Sequence, residues 1–264
     1  MGLEFCSFAS GSSGNAYLVK SENTALLIDT GISGKKIFSG IAGAGLEKEC
    51  VDGILITHEH IDHIKSLRIV TKKCSAATVY SNISTWPYIR DVVPEERQII
   101  FETGKAFLIG DITVKAFKTF HDAAEPVGFS FYHGGRQVSI LTDTGRVSEE
   151  IIDEIHSADL LALEANHDPD VLQFCGYPYH VKRRILGDEG HLSNEAAGEC
   201  ICRILEKSQK RRRVLLSHLS KENNTPDMAK ITIKNVLECD GINGIRDLEI
   251  TVLKRDGSSP LFEV

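Results

Sequence analysis

The chain has 264 residues, of which 42% are hydrophobic and 25% charged, and its formal net charge is −7 at pH 7. That length and mixture fit one large globular domain or two small ones, and exclude a peptide, a disordered tail and a disulfide-stapled miniprotein. The acidic balance excludes a strongly basic nucleic-acid coat, though not a local basic patch.

In chain order, short strands come first. Residues 3–8, 16–20 and 24–29 carry apolar and β-branched side chains between turn signals. The turn after the first strand, Ser10-Gly11-Ser12-Ser13-Gly14-Asn15, is rich in residues that tolerate positive φ. A helix is expected after Asp29-Thr30-Gly31, with Ser33 as its N-cap. The apolar run at 53–56 reads as a buried strand that ends directly in Thr57 and a histidine-rich run, with a helix over 64–70. Helix and strand then alternate to about residue 100. Residues 105–142 read as strands, among them 112–117, 128–132 and 137–141. In the last third, helix patterns at 147–157, 194–207 and 227–239 are separated by strand-like runs at 160–163 and 214–217.

No internal repeat, low-complexity tract or Pro/Gly/Ser linker is seen, so a single domain over 1–264 is expected. Strand-rich and alternating stretches occur in each half. That mixture is α/β (α+β) and points to two sheets packed face to face with helices outside, a four-layer αββα sandwich. Seven cysteines show neither a CxxC pair nor zinc-finger spacing, and most lie in apolar runs. They read as free thiols in a reducing compartment. No secretory signal pattern and no apolar run near the roughly 18 residues of a membrane span is present. The expectation is a cytoplasmic protein with no membrane partner; the oligomeric state is not legible.

The chemistry concentrates in one string, His58-Glu59-His60-Ile61-Asp62-His63, which holds three of the ten histidines. It follows an apolar strand, so a rigid element carries it. In extended backbone His58 and His60 point the same way and can grip one cation, while Asp62 and His63 turn into the next helix and can face a second. Imidazole and carboxylate ligands suit zinc, manganese or iron and are too rich in nitrogen for calcium. His121, Asp143 and His218 each stand where a predicted strand opens into a loop. One such residue alone reads as a cap or turn residue, but their joint occurrence points to a site on one sheet edge.

His58-x-His60-x-Asp62-His63, followed in order by His121, Asp143 and His218 and preceded by Asp29, resembles the metallo-β-lactamase fold superfamily over essentially the whole chain. Four further strings resemble its YycJ (WalJ) group of bacterial metallo-hydrolases. They are Phe8-Ala9-Ser10-Gly11-Ser12-Ser13-Gly14-Asn15, His121-Asp122-Ala123-Ala124-Glu125-Pro126-Val127-Gly128, Gly190-His191-Leu192-Ser193-Asn194-Glu195-Ala196-Ala197 and Leu216-Ser217-His218-Leu219-Ser220-Lys221-Glu222-Asn223-Asn224. The resemblance implies the metallo-β-lactamase fold and two divalent metal ions. His58, His60 and His121 would hold the first, Asp62, His63 and His218 the second, and Asp143 would bridge them. Asp29 would orient the histidine loop through hydrogen bonds. A carboxylate bridge at Asp143 argues against β-lactam hydrolysis.

Two such metals would share a hydroxide as nucleophile and accept charge developing on a phosphoryl oxygen. Asp62 can assist as ligand and proton acceptor. The leaving group needs a proton, and His191 is the candidate. Its Gly-His string before a helix is similar to one in tRNase Z, where the His pairs with a Glu at a strand end, and Glu164 sits in the matching place. A His–Glu pair suits a general acid; it equally suits a dyad that ties the helix to the sheet, and both readings stand. Asn166 and His167 precede Asp168-Pro169 and read either as residues lining the site or binding substrate or, preferred, as ordinary turn chemistry.

Two basic clusters break the acidic background, one at His180-Val181-Lys182-Arg183-Arg184 and one at Lys210-Arg211-Arg212-Arg213. The second reads as the cationic end of a helix. Lys182 and its neighbours read either as phosphate contacts or as solvated surface. Ser220, Lys221 and Asn223, directly after His218, offer donors suited to a phosphate oxygen. The resemblance implies a dinuclear phosphodiesterase acting on nucleic acid, DNA before RNA: a 5′→3′ exonuclease linked to bacterial mismatch repair. The alternatives are a small or cyclic phosphodiester hydrolase like the PhnP relatives, a thioester hydrolase, and a regulatory module without turnover.

Overall fold

The apolar runs at 25–28 and 53–55 have every residue buried and become adjacent parallel strands. A computed structural model describes residues 2–242 and 247–264. Its strands and helices in chain order are β1 (Glu4–Ala9), β2 (Ala16–Lys20), β3 (Ala25–Ile28), α1 (Gly34–Gly43), β4 (Gly53–Leu55), α2 (Ile61–Ile64), α3 (Leu67–Lys73), β5 (Thr78–Ser81), α4 (Trp86–Ile89), β6 (Gln98–Ile100), β7 (Ala106–Ile109), β8 (Ile112–Lys118), β9 (Val127–His133) and β10 (Arg136–Leu141). They continue with α5 (Glu149–Ile155), β11 (Leu160–Glu164), α6 (Pro169–Phe174), α7 (Tyr179–Leu186), α8 (Asn194–Lys207), β12 (Arg212–Ser217), α9 (Pro226–Cys239), β13 (Leu248–Val252) and β14 (Phe262–Glu263). The strands form two seven-stranded sheets, ordered β14-β1-β2-β3-β4-β5-β6 and β13-β12-β11-β10-β9-β8-β7. The chain divides into two compact units. One comprises Met1–Lys118, Ala123–Val138 and Lys254–Val264; the other comprises Thr119–Asp122 and Ser139–Leu253.

The first unit holds the first sheet and strands β7 to β9. Phe8, Leu18, Leu27, Ile54 and Val79 of the sheet share one buried cluster with Ile37 and Ile41 of α1 and Val70 of α3. Each such side chain contributes about 1.5–3 kcal/mol by leaving water. Ser33 caps α1 as expected, its Oγ accepting the Lys36 N–H at 3.4 Å. On the sheet's other face Tyr80 stacks on Phe107 of β7, with ring centroids 5.8 Å apart, and Phe107 stacks on Phe101 at 5.4 Å. The turn between β2 and β3 is tied to the turn between β7 and β8 by Ser21, whose hydroxyl donates to Asp111 at 2.6 Å.

The helix expected over 64–70 is broken into α2 and α3. The carbonyls that would continue one helix are taken by other partners. Asp62 O accepts from Asn15 N–H at 2.9 Å and His63 O from Thr30 N–H at 2.6 Å, while Ser66 N–H donates to Thr30 O. The loop is thereby held to the segment after β3.

In the second unit β11, β12 and β13 run parallel, with Glu164 opposite Ser217 at the C-terminal ends of β11 and β12. Helix α8 is capped by Ser193, which accepts from Ala196 N–H at 3.1 Å, and buries Ala197, Gly198, Cys200, Ile201 and Ile204. Gly198 lets α9 approach: a Cβ there would stand 2.8 Å from the Cβ of Val236. Helix α6 buries Leu172, whereas α7, though amphipathic in sequence, buries none of its residues.

Candidate metal centre

In the first unit, β3 and β4 pair with Ile28 opposite Leu55, so the residues that follow them leave at the same end. Asp29 comes first, at φ 59°. Its buried carboxylate accepts from Thr57 N–H at 3.0 Å, from the Thr57 hydroxyl at 2.9 Å and from His63 Nδ1 at 2.7 Å. With Nδ1 committed, Nε2 of His63 is the nitrogen left for a metal. That atom lies 3.7 Å from Asp62 Oδ2 and 3.2 Å from Asn15 Nδ2. The ring of His58 stands 4.1 Å from that of His63 and 4.7 Å from that of His60. Glu59 is turned elsewhere and accepts the Ala124 N–H at 2.8 Å. Gly31 makes this packing feasible, since a Cβ there would run into the Asp62 carbonyl.

In the second unit, Asp143 follows β10 at φ 57° and His218 follows β12 at φ 55°. Among the described non-glycine residues, only these two and Asp29 have positive φ. Such backbone costs of order 1 kcal/mol or more and persists where the surroundings over-determine it, commonly at functional sites. His121 donates from Nδ1 to Gly190 O at 3.0 Å, and burial lowers its pKa despite nearby Asp143, favouring the neutral imidazole a metal needs. Asp143 Oδ1 has His218 Nε2 at 3.6 Å, His121 Nε2 at 3.7 Å and His191 Nδ1 at 3.7 Å. These separations are too long for hydrogen bonds. Those of the two Nε2 atoms suit ligands that share a cation, since two atoms each about 2.0–2.2 Å from a tetrahedral metal stand roughly 3.5 Å apart; His191 Nδ1 is instead taken by Glu164.

Glu164, fully buried at the end of β11, accepts from His191 Nδ1 at 2.8 Å and from His218 Nδ1 at 2.9 Å through one oxygen, and from Thr144 N–H at 2.9 Å through the other. Burial pushes this carboxyl up, but the charge and hydrogen bonds of His191, with those of His218, outweigh it and hold the pKa at about 2. Ligand-type atoms of Asp143, Glu164, His191 and His218 all lie within 4.8 Å of one another. The side chain of His191 is 18% exposed, whereas that of His218 is 1% exposed. Of this set, His191 is the imidazole that substrate can reach.

The residues expected to meet substrate are differently placed. Lys182 Nζ donates to Gln173 O at 2.7 Å, joining α7 to α6. Ser220 is nearly buried and its Oγ accepts the Asn223 N–H at 3.2 Å; Asn223 is buried, and only Lys221 is exposed. Asn166 donates to His218 O at 2.9 Å and so supports that strained turn. His167 is buried, and burial lowers its pKa to about 4. Three of the four cations at 210–213 are held by their own fold: Arg212 is buried against the carbonyls of His156 and Ser208, Lys210 pairs with Asp159, and Arg213 with Glu249, while Arg211 is exposed. Sequence reasoning assigned no role to Thr57 or Asn15. Asn15 stood inside a quoted string, but a hydrogen bond between a turn amide and a histidine 48 positions on leaves no local pattern.

The β-lactamase superfamily domain profile matches residues 24–219. The chain belongs to the metallo-β-lactamase fold superfamily. Its resemblance to the YycJ/WalJ group holds across the sequence. It is 39% identical to exodeoxyribonuclease YycJ of Bacillus anthracis, over 90% of each chain. It is 37% identical to exodeoxyribonuclease WalJ of Streptococcus pneumoniae, over 100% of this chain and 99% of that one. Among solved structures it is similar to the metallo-β-lactamase fold protein YhfI of Bacillus subtilis, with TM-score 0.74 and 19% identity over 98% of this chain and 100% of that one. The architecture is thus the αββα sandwich of this superfamily, as expected from the strand and helix pattern. Divalent metal binding goes with the superfamily, and the histidine and carboxylate donors described above suit it.

Proposed function

We propose that this metallo-β-lactamase fold protein is a dinuclear metal-dependent phosphodiesterase that degrades DNA from the 5′ end. The convergence of His121 Nε2 and His218 Nε2 at 3.7 and 3.6 Å from Asp143 Oδ1 is the observation that carries the metal reading. The exodeoxyribonuclease relatives at 37–39% identity support DNA as the substrate. Polarity and a place in mismatch repair rest on the resemblance to the YycJ/WalJ group. His58, His60 and His121 would hold one metal, Asp62, His63 and His218 the other, and Asp143 both; zinc and manganese fit, and iron is acceptable to the same donors. The profile running through both compact units supports their acting as one hydrolase domain. Seven free cysteines support a reducing, cytoplasmic setting.

When bound, the metal ions lower the pKa of a water to near neutrality and polarise the phosphoryl oxygen. The chain's own residues prepare for this. Asp29 and Gly190 O hold the Nδ1 atoms of His63 and His121, which leaves their Nε2 atoms for ligation. Glu164 plays the same part for His218 and orients His191. His191, partly exposed and held by a carboxylate that stays ionised, is placed to give a proton to the leaving oxygen.

The test is metal analysis of the purified protein beside cleavage of 5′- and 3′-labelled DNA, with bis-p-nitrophenyl phosphate as a small diester. About two metals per chain and nucleotide release from the 5′ end, both lost in His58→Ala, are expected. Turnover of the small diester alone, with DNA intact at every metal tried, would replace the nuclease reading with a small-phosphodiester hydrolase.

A further inference from the structure

The connection from β11 to α8 carries an unusual surface. Phe174 is 84% exposed and Tyr179 76%, the two highest values among the exposed large hydrophobic residues described. Phe174 ends α6 and Tyr179 opens α7, which buries none of its residues. From 171 to 187 the chain has three cations, Lys182, Arg183 and Arg184, together with His180 and no carboxylate, in a protein of net charge −7. Large rings left in water beside cations mark an interaction surface. Arg183 makes no ion pair among the described residues, and its guanidinium lies 6.0 Å over the ring of Tyr179.

This surface is joined to the metal-side residues of its own unit. Ile185 O accepts the His191 N–H at 3.0 Å. Arg184 pairs with Asp122 at 2.5 Å, next to His121. Between them opens a cavity of about 480 Å³, where Arg146, Arg183 and Arg184 face the carboxylates of Asp122, Asp188 and Glu189. Arg146 lies flat against Phe120, with its guanidinium 3.6 Å from the ring centroid.

We propose that this surface is the track for an unpaired stretch of the DNA strand on its way to the metal centre; the assignment rests on the nuclease reading above. Bases stack on the exposed rings of Phe174 and Tyr179, and phosphates meet Arg183. Lys182 and Arg183, in a segment without carboxylates, favour a polyanion over a neutral partner. Exposed rings interleaved with cations are the means by which single strands are held without regard to sequence, and base-paired DNA keeps its stacking faces from them. The contact made by Lys182 fits this: its ammonium braces α6 against α7 by donating to the Gln173 carbonyl.

The test is fluorescence anisotropy with labelled single-stranded and blunt duplex oligodeoxynucleotides, metal-free with chelator so that cleavage does not intervene, using the full chain and Phe174→Ala/Tyr179→Ala and Arg183→Ala. Both positions are exposed, and unchanged thermal melting checks that the variants fold. The double variant should bind the single strand at least tenfold more weakly and hydrolyse bis-p-nitrophenyl phosphate within twofold of the parent. Arg183→Ala should lower the slope of log affinity against log salt by about 0.7. Single-strand affinity unchanged in the double variant, or duplex affinity reduced as much as single-strand affinity, overturns the track while wild-type DNA cleavage leaves the nuclease reading standing. A wild-type protein that cleaves the small diester but neither binds nor cuts DNA overturns both.

Discussion

His63 donates from Nδ1 to the carboxylate of Asp29 at 2.7 Å, and both side chains are sealed from solvent. The same carboxylate also takes both polar hydrogens of Thr57, so a single buried anion fixes the first turn of the histidine loop and the tautomer of its last histidine. Asp29→Asn keeps a residue type that tolerates φ 59° but removes the anion. Metal affinity should fall about 10–100-fold with the fold retained, read by chelator competition. Parental affinity would show that His63 is oriented by something else.

His191→Ala is expected to keep the full metal content and lose turnover by about 10²–10⁴-fold. Metal lost along with activity would make His191 a ligand, and an unchanged rate would remove it from the reaction.

Gly31→Ala forces a Cβ into the Asp62 carbonyl, which in turn holds the Asn15 N–H. Backbone cannot yield as a flexible side chain does. A loss of about 1–3 kcal/mol in chemical denaturation is expected, together with weaker metal retention. Parental stability would mean that the loop moves freely away from β3.

Asp111 supplies the pH prediction. The Ser21 hydroxyl, with Thr24 and Asn23, holds its carboxyl down at about 2, against the pull of desolvation. A carboxylate depressed in the folded state adds stability above its unfolded pKa of about 3.9 and loses it as pH falls through the folded value. The stability gap between the parent and Asp111→Asn should therefore be constant above about pH 4 and close toward pH 2. The gap itself should be about 1 kcal/mol, or roughly 2–4 °C in Tm. A gap that widens on acidification would contradict the assignment.

Thiol reactivity should follow burial. Cys50 and Cys239 are exposed, while burial pushes Cys200 up to about 12 and Cys74 up to about 11. A maleimide should label the first two in the native protein and the other two only after denaturation, as read by mass spectrometry. Native labelling of Cys200 would show that α8 opens.

Most of the strand and helix order was legible because its apolar runs are buried runs, as at 25–28 and 53–55. The seven candidate ligands stand out in the sequence because four share one dense string and three follow strands. The rest was written in distant contacts. Nothing local marks residue 65 as a helix break, because the break is made by Thr30 and Asn15 from another part of the chain. Lys182 looked like a phosphate contact by its charge, yet its ammonium is spent on the Gln173 carbonyl. Helix α7 was invisible to a search for buried faces because it has none.

The strand that borders β1 is β14, and Cys6 Sγ reaches Ser259 O at 3.4 Å across 253 positions of sequence. In sequence, most of the second unit is thus inserted between segments of the first, whose sheet takes in β14 from beyond that insertion. While β14 is unpaired, β1 presents a bare edge to other chains. The inserted unit can gather largely consecutive strands and helices, while the enclosing sheet depends on a strand that follows the insertion.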